Sequence, residues 1–83
     1  MNKILVELYL PAINKSVDMY IPYTARLGDV EPLIISALKE VVGLQVSDEY
    51  PIVICNRFTG AMLDINRLVC DLGLQNGSKL MLI

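Results

Sequence analysis

The residues of this 83-residue chain that could carry chemistry are few and badly spaced for it. Histidine is absent, which removes a histidine-based triad, a histidine metal ligand and the side chain that ordinarily titrates near neutral pH. Cys55 and Cys70 do not form a CxxC pair, and two thiols alone are too few for a structural zinc site. They read as reduced thiols, and Cys70 as a small half-buried residue rather than a nucleophile. Asp48/Glu49 and Asp64 are the carboxylates that could be paired for acid–base work. They fall in connecting segments, where such acids are usually solvated, so no catalytic residue is expected. Asp71 is expected to cap a local turn through its carboxylate. The five glycines, Gly28, Gly43, Gly60, Gly73 and Gly77, are isolated, so there is no phosphate-cradling loop. No metal or other cofactor is implied.

Composition narrows the classes further. Apolar residues make up 54% of the chain, which excludes disorder. Seven Lys+Arg against nine Asp+Glu give a net charge of −2, too little positive charge for a nucleic-acid footprint. No apolar run approaches the ~20 residues of a membrane span, so no direct membrane insertion is expected. Glu7 follows closely on Met1-Asn2-Lys3 with no small-residue cleavage site, so no signal peptide and a cytoplasmic location are expected. The length suits one domain over residues 1–83.

The elements that must position these residues follow from hydrophobic period. Ile4, Val6, Leu8 and Leu10 alternate with Lys3, Leu5, Glu7 and Tyr9, which predicts a strand ended by Pro11. Val17, Met19 and Ile21 alternate with Asp18 and Tyr20 and predict a second strand, paired to the first through a short turn at Asn14 and closed by Pro22. The period then changes. Val30, Ile34, Ala37, Leu38 and Val41 mark one face of a helix over 29–42, with Asp29 as N-cap, Pro32 in the first turn and Gly43 past the end. Ile52 to Cys55 predicts a third strand and Ala61 to Leu63 a brief fourth. A helical turn is expected near Val69 to Leu72, a tight turn at Asn76-Gly77, and a last strand from Lys79 to Ile83. One helix across one face of a mixed sheet of four to five strands is the smallest two-layer solution, an α+β fold.

Arg67-Leu68-Val69-Cys70-Asp71-Leu72-Gly73-Leu74, followed by Asn76-Gly77-Ser78-Lys79-Leu80, resembles the late loop and closing strand of the ubiquitin-like superfamily. There an Arg-x-Leu-Ser-Asp-Tyr-type run precedes alternating leucines. Arg67, Val69, Cys70, Asp71 and Leu72 are the matching positions, with Cys70 where serine is common, and the element order agrees along the whole chain. The resemblance implies a β-grasp fold with first and last strands parallel at the sheet centre. Within the superfamily the chain looks most like the small YukD/EsaB-type bacterial proteins of type VII secretion. That implies a non-catalytic accessory or regulatory component acting by protein–protein binding, with membrane-embedded secretion subunits as partners. A generic ubiquitin-like adaptor in another bacterial pathway is the alternative. Conjugating and sulfur-carrying relatives need a mobile diglycine tail; Leu82-Ile83 departs from that pattern, which makes a modifier the weakest reading.

Apolar residues exceed what one core needs. With Ile4, Val6, Leu8, Val17, Met19, Ile21, Ile52, Ile54, Leu80 and Leu82 toward the helix, Leu5, Val53, Cys55, Met81 and Ile83 face away, on a side that should be polar. On neighbouring strands these five are expected to form one contiguous patch for a protein partner or a weak homo-oligomer. Ile35 and Val42, on the helix shoulder, are a smaller second candidate.

Overall fold

The computed structural model describes residues 2–45 and 52–83. Its elements are β1 (Lys3–Leu10), β2 (Lys15–Pro22), α1 (Leu27–Val42), β3 (Ile54–Asn56), a 3-10 turn (Val69–Leu72) and β4 (Ser78–Leu82). The sheet order is β2-β1-β4-β3, with β1 and β4 parallel at the centre and antiparallel pairs on either flank. This is the β-grasp arrangement implied by the late loop and closing strand. Ile4, Val6, Leu8 and Leu10 of β1, Ile54 of β3 and Leu80 and Leu82 of β4 are all buried in the cluster that holds the apolar stripe of α1. Period-two alternation on the strands and period-3.6 on the helix therefore meet in one core.

The helix departs from expectation at both ends. It begins at Leu27, and Asp29 lies in its first turn rather than at the cap. The cap residue, Arg26, makes no side-chain capping bond. Instead the first N–H groups donate to the late loop: Leu27 N–H to the Arg67 carbonyl (2.9 Å) and Gly28 N–H to the Ile65 carbonyl (2.8 Å). Distant backbone thus satisfies donors that a helix start leaves open, and Asp29 pairs with Arg26 at 3.6 Å. The buried stripe is Leu27, Val30, Ile34 and Leu38. It continues at Val42, which packs on the core, while Val41 is 65% exposed. Gly43, at φ 68°, ends the helix; its N–H and that of Leu44 both turn back to the Leu38 carbonyl. The reversal brings Leu44 onto the core beside Val42.

The fourth strand reduces to a single bridge, Cys55 to Met62. The Asn56 carboxamide oxygen accepts the N–H groups of Phe58 (2.8 Å) and Thr59 (3.1 Å), which tightens the turn after β3. Asn56 N–H to the Ala61 carbonyl and Leu63 N–H to the Ile54 carbonyl complete a two-rung ladder. At Asp64 the carboxylate accepts the Asn66 N–H (2.9 Å) and the chain bends away toward the helix start. The third strand's pairing reaches back to Val53, which exchanges both backbone bonds with Ile83 (2.8 and 3.0 Å). The 3-10 turn docks on the helix entry through Val69 N–H to the Ala25 carbonyl and Cys70 N–H to the Tyr23 carbonyl. Among the described residues Asp71 caps no backbone N–H there: its carboxylate accepts from the Cys70 thiol, at 4.0 Å. None of the described helices is long and apolar enough to cross a membrane.

Candidate protein-binding surface

The face of the sheet away from α1 is built of three cross-strand rows. Pairing sets them, because residues opposite one another share a face. The first row holds Tyr20 and Leu5. The second holds Asp18, Glu7 and Lys79, followed by Arg57, whose N–H donates to the Lys79 carbonyl at 3.2 Å. The third holds Ser16, Tyr9, Met81, Cys55 and Met62. Beyond it lie Val53 and Ile83.

The middle row is a charged strap. Arg57 Nη1 donates to Glu7 Oε1 at 2.6 Å, and Lys79 Nζ lies 3.8 Å from Glu7 Oε2. The Arg57 guanidinium also sits 4.4 Å from the Tyr9 ring centroid, and the Tyr9 hydroxyl donates to Asn14 Oδ1 (3.1 Å). Arg57 therefore reaches from the end of β3 across β4 to β1. Replacing Arg57 by Ala should cost about 1 kcal/mol or less, because these side chains remain a quarter to a third exposed and screened. Thermal melts at low and high salt check this: the deficit should shrink as salt rises.

The strap corrects the expectation of one contiguous patch. The parallel register sets Leu5 level with Gly77, whose N–H donates to the Leu5 carbonyl at 2.8 Å. Met81 lies four residues further along β4, about 13 Å at ~3.3 Å per residue. Leu5 therefore groups with the 65%-exposed Tyr20, while Val53, Met81 and Ile83 group at the other end. Ile83 is 60% exposed and Val53 and Met81 are half-buried. Cys55 lies on this face but is fully buried, because the bridge at Met62 gives it a neighbour on each side and both neighbours are long methionines. It is not surface. Met62, at 72% exposure, takes its place in the strip. The sequence held one sign of this: Met62 sits between Ala61 and Leu63 in the predicted fourth strand, antiparallel after a short turn from Cys55.

Val42 leaves the helix-shoulder candidate for the core, as the phase of α1 requires. Ile35 remains, half-buried in a shallow depression with Glu31, Pro32, Ser36 and Lys39. Among the carboxylates, Asp64 is committed to its turn, while Asp48 and Glu49 lie outside the described residues. No group of three or more potential metal ligands occurs among the described residues.

The sequence matches no family model and no curated protein sequence. The structure does find similar folds. The ubiquitin-like domain of the Mycobacterium tuberculosis type VII secretion system protein ECCD1 superposes with a TM-score of 0.79 at 16% identity, covering 100% of this chain and 99% of the other. The fold is that of ubiquitin. The EccD5 ubiquitin-like domain from Mycobacterium xenopi is similar to the same extent, with a TM-score of 0.77, 17% identity and coverage of 100% and 94%. A chain of the MycP5-free ESX-5 inner membrane complex matches at a TM-score of 0.75 and 17% identity, over all of this chain and 21% of its own length. The ubiquitin-like chain thus corresponds from end to end to domains in type VII secretion proteins.

Proposed function

We propose that this ubiquitin-like chain is a non-catalytic, cytoplasmic accessory component of a type VII secretion system that binds membrane-embedded subunits of the machinery. The observation that carries this reading is the end-to-end likeness to the ECCD1 ubiquitin-like domain. Fold alone does not fix function, so the surface supplies the second argument. Val53, Met62, Met81 and Ile83 form an apolar strip at the open end of the outer face, with Arg57 and Lys79 at its border. Clustered apolar side chains with a charged rim are the anatomy of a contact in which the centre supplies affinity and the rim tunes encounter.

Capture of secretion subunits by wild type, Met62→Asp and Val53→Asp tests both parts. Met62→Asp should lower the thermal midpoint only slightly, since most of the side chain already faces water and only its cover over Cys55 is lost. It should weaken capture by tenfold or more, because the carboxylate must be desolvated without a partner. Wild-type protein that captures no secretion subunit would overturn the secretion reading. Equal capture by folded variants would move the interface off this strip.

A further inference from the structure

Asn76-Gly77 is the one Asn-Gly pair in the chain; the other four asparagines precede Lys3, Lys15, Arg57 and Arg67. Both residues of the pair are exposed. They form the centre of a turn over 75–78, in which the Ser78 N–H donates to the Gln75 carbonyl (3.0 Å) and the Gln75 N–H to Ser78 Oγ (2.9 Å). Gly77 stands at φ 89°, the left-handed value that a type II turn demands at its third residue and that glycine adopts without strain. The same turn opens the parallel pairing of β4 with β1. Gly77 N–H donates to the Leu5 carbonyl (2.8 Å), and the Leu5 N–H donates to Asn76 Oδ1 (2.7 Å). The carboxamide oxygen thus replaces the backbone carbonyl that a parallel rung would supply. The turn uses both residue types, and together they are the dipeptide most prone to lose the side-chain amide, because glycine puts no side chain in the path of ring closure.

We propose that Asn76 is a modification site, deamidated through a cyclic imide, and that the paired hydrogen bonds to Leu5 hold the reaction off while the fold is intact. Once a base in solution takes its proton, the Gly77 nitrogen attacks Asn76 Cγ. An N–Cγ bond forms, the Cγ–Nδ2 bond breaks, and Nδ2 takes up a proton and leaves as ammonia. Water then opens the five-membered ring, its hydroxyl going to carbon and its proton to nitrogen. Opening at Cγ gives aspartate. Opening at the backbone carbonyl gives isoaspartate, with the main chain running through the former side chain and one methylene longer.

The fold controls the first step. Ring closure requires the Gly77 nitrogen to eclipse Cβ about the Asn76 Cα–C bond. A type II turn holds it roughly 120° away, and rotation there breaks both bonds to Leu5. Exposure to water is therefore not enough, and the chain reacts only when this end of the β1–β4 pairing opens. The two products differ in consequence. Aspartate keeps an acceptor for the Leu5 N–H. Isoaspartate does not, and its extra methylene displaces β4 along β1, so an unfolding event that outlasts the reaction becomes irreversible. This inference concerns the chain alone and does not rest on the secretion reading.

Peptide mapping by mass spectrometry reads the reaction in wild type held in mildly alkaline buffer, with and without guanidinium chloride above the unfolding midpoint. In denaturant Asn76 should become acid faster than Asn2, Asn14, Asn56 or Asn66. In native buffer the change at Asn76 should be slower by about tenfold or more, and the Gly77 amide should exchange more slowly by a similar factor. Once denaturant is removed, the isoaspartate fraction should melt on the order of 5 °C or more below the wild type, or fail to refold. Asn76→Asp should melt close to the wild type. Equal rates with and without denaturant, a Gly77 amide that exchanges freely, or another asparagine reacting first would each overturn the proposal. An Asn76→Asp variant that loses as much as the isoaspartate form would place the damage on the charge and overturn the displacement of β4.

Discussion

Leu80→Ala should melt roughly 10–30 °C below the wild type. Leu80 sits on β4 between β1 and β3, opposite Leu8 on one side and Asn56 on the other, with none of its surface exposed. Truncation there removes buried methyl groups and leaves a cavity at the centre of the sheet, where strands on both flanks restrict collapse. Large-to-small changes of this kind cost about 2–5 kcal/mol. A domain of this size has only about 5–10 kcal/mol in total, so a large share of its stability goes. Met81→Ala is the matched control, one residue along the same strand and on the other face. It should cost well under half as much, because Met81 is only half-buried and packs outside the core cluster. Equal losses from the two variants would mean that the sheet is not one-sided as described.

Gly28→Ala should destabilise, against the usual sign. In an ordinary helix interior Ala is more favourable than Gly by about 1 kcal/mol. Here a Cβ on Gly28 would lie 2.9 Å from the Ile65 carbonyl oxygen, a backbone atom that cannot swing aside as a side chain would. That oxygen also accepts the Gly28 N–H. Relieving the clash therefore pushes the late loop off the helix start and strains the neighbouring Leu27–Arg67 bond. The expected loss is about 1–3 kcal/mol, or on the order of 5–20 °C in the thermal midpoint for a domain of this length. Amide exchange at Leu27 and Gly28 should accelerate more than at the helix centre. A stabilised variant would show that the loop does not hold the helix N-terminus.

Both results rest on features that differ in how far the amino-acid order specifies them. Alternation in β1 and β2 fixed their inward faces, because a strand one side of which is buried must repeat every two residues. The parallel pairing of β1 with β4 came instead from the resemblance of the Arg67–Leu80 stretch to ubiquitin-like chains. The helix was legible in its middle, where Val30, Ile34 and Leu38 leave no choice of face. At its ends local signals misled. Asp29 has the chemistry of a cap, yet the late loop delivers carbonyls to Leu27 and Gly28 and makes a side-chain cap unnecessary. Val41 and Val42 are chemically the same residue, and the phase of α1 carried on from Ile34 and Leu38 puts Val42 on the core and Val41 in solvent.

The outer face was legible residue by residue but not as a surface. Period two alone assigns Leu5, Glu7, Tyr9, Lys79 and Met81 to one side. It says nothing of register between strands far apart in sequence, and register placed the Glu7–Arg57 strap between Leu5 and Met81. Likewise the pattern put Cys55 outward, but the Met62 bridge buried it. The sequence by itself determined which side of each strand is apolar and where the helix lies, since those depend on neighbours within a few positions. Which outward residues touch, which carboxylate the Arg57 and Lys79 cations meet and which helix donors are satisfied by a distant loop were decided by tertiary structure. The Glu7–Arg57, Glu7–Lys79 and Leu27–Arg67 contacts bring together positions some 40 to 70 residues apart, and no local period carries that information.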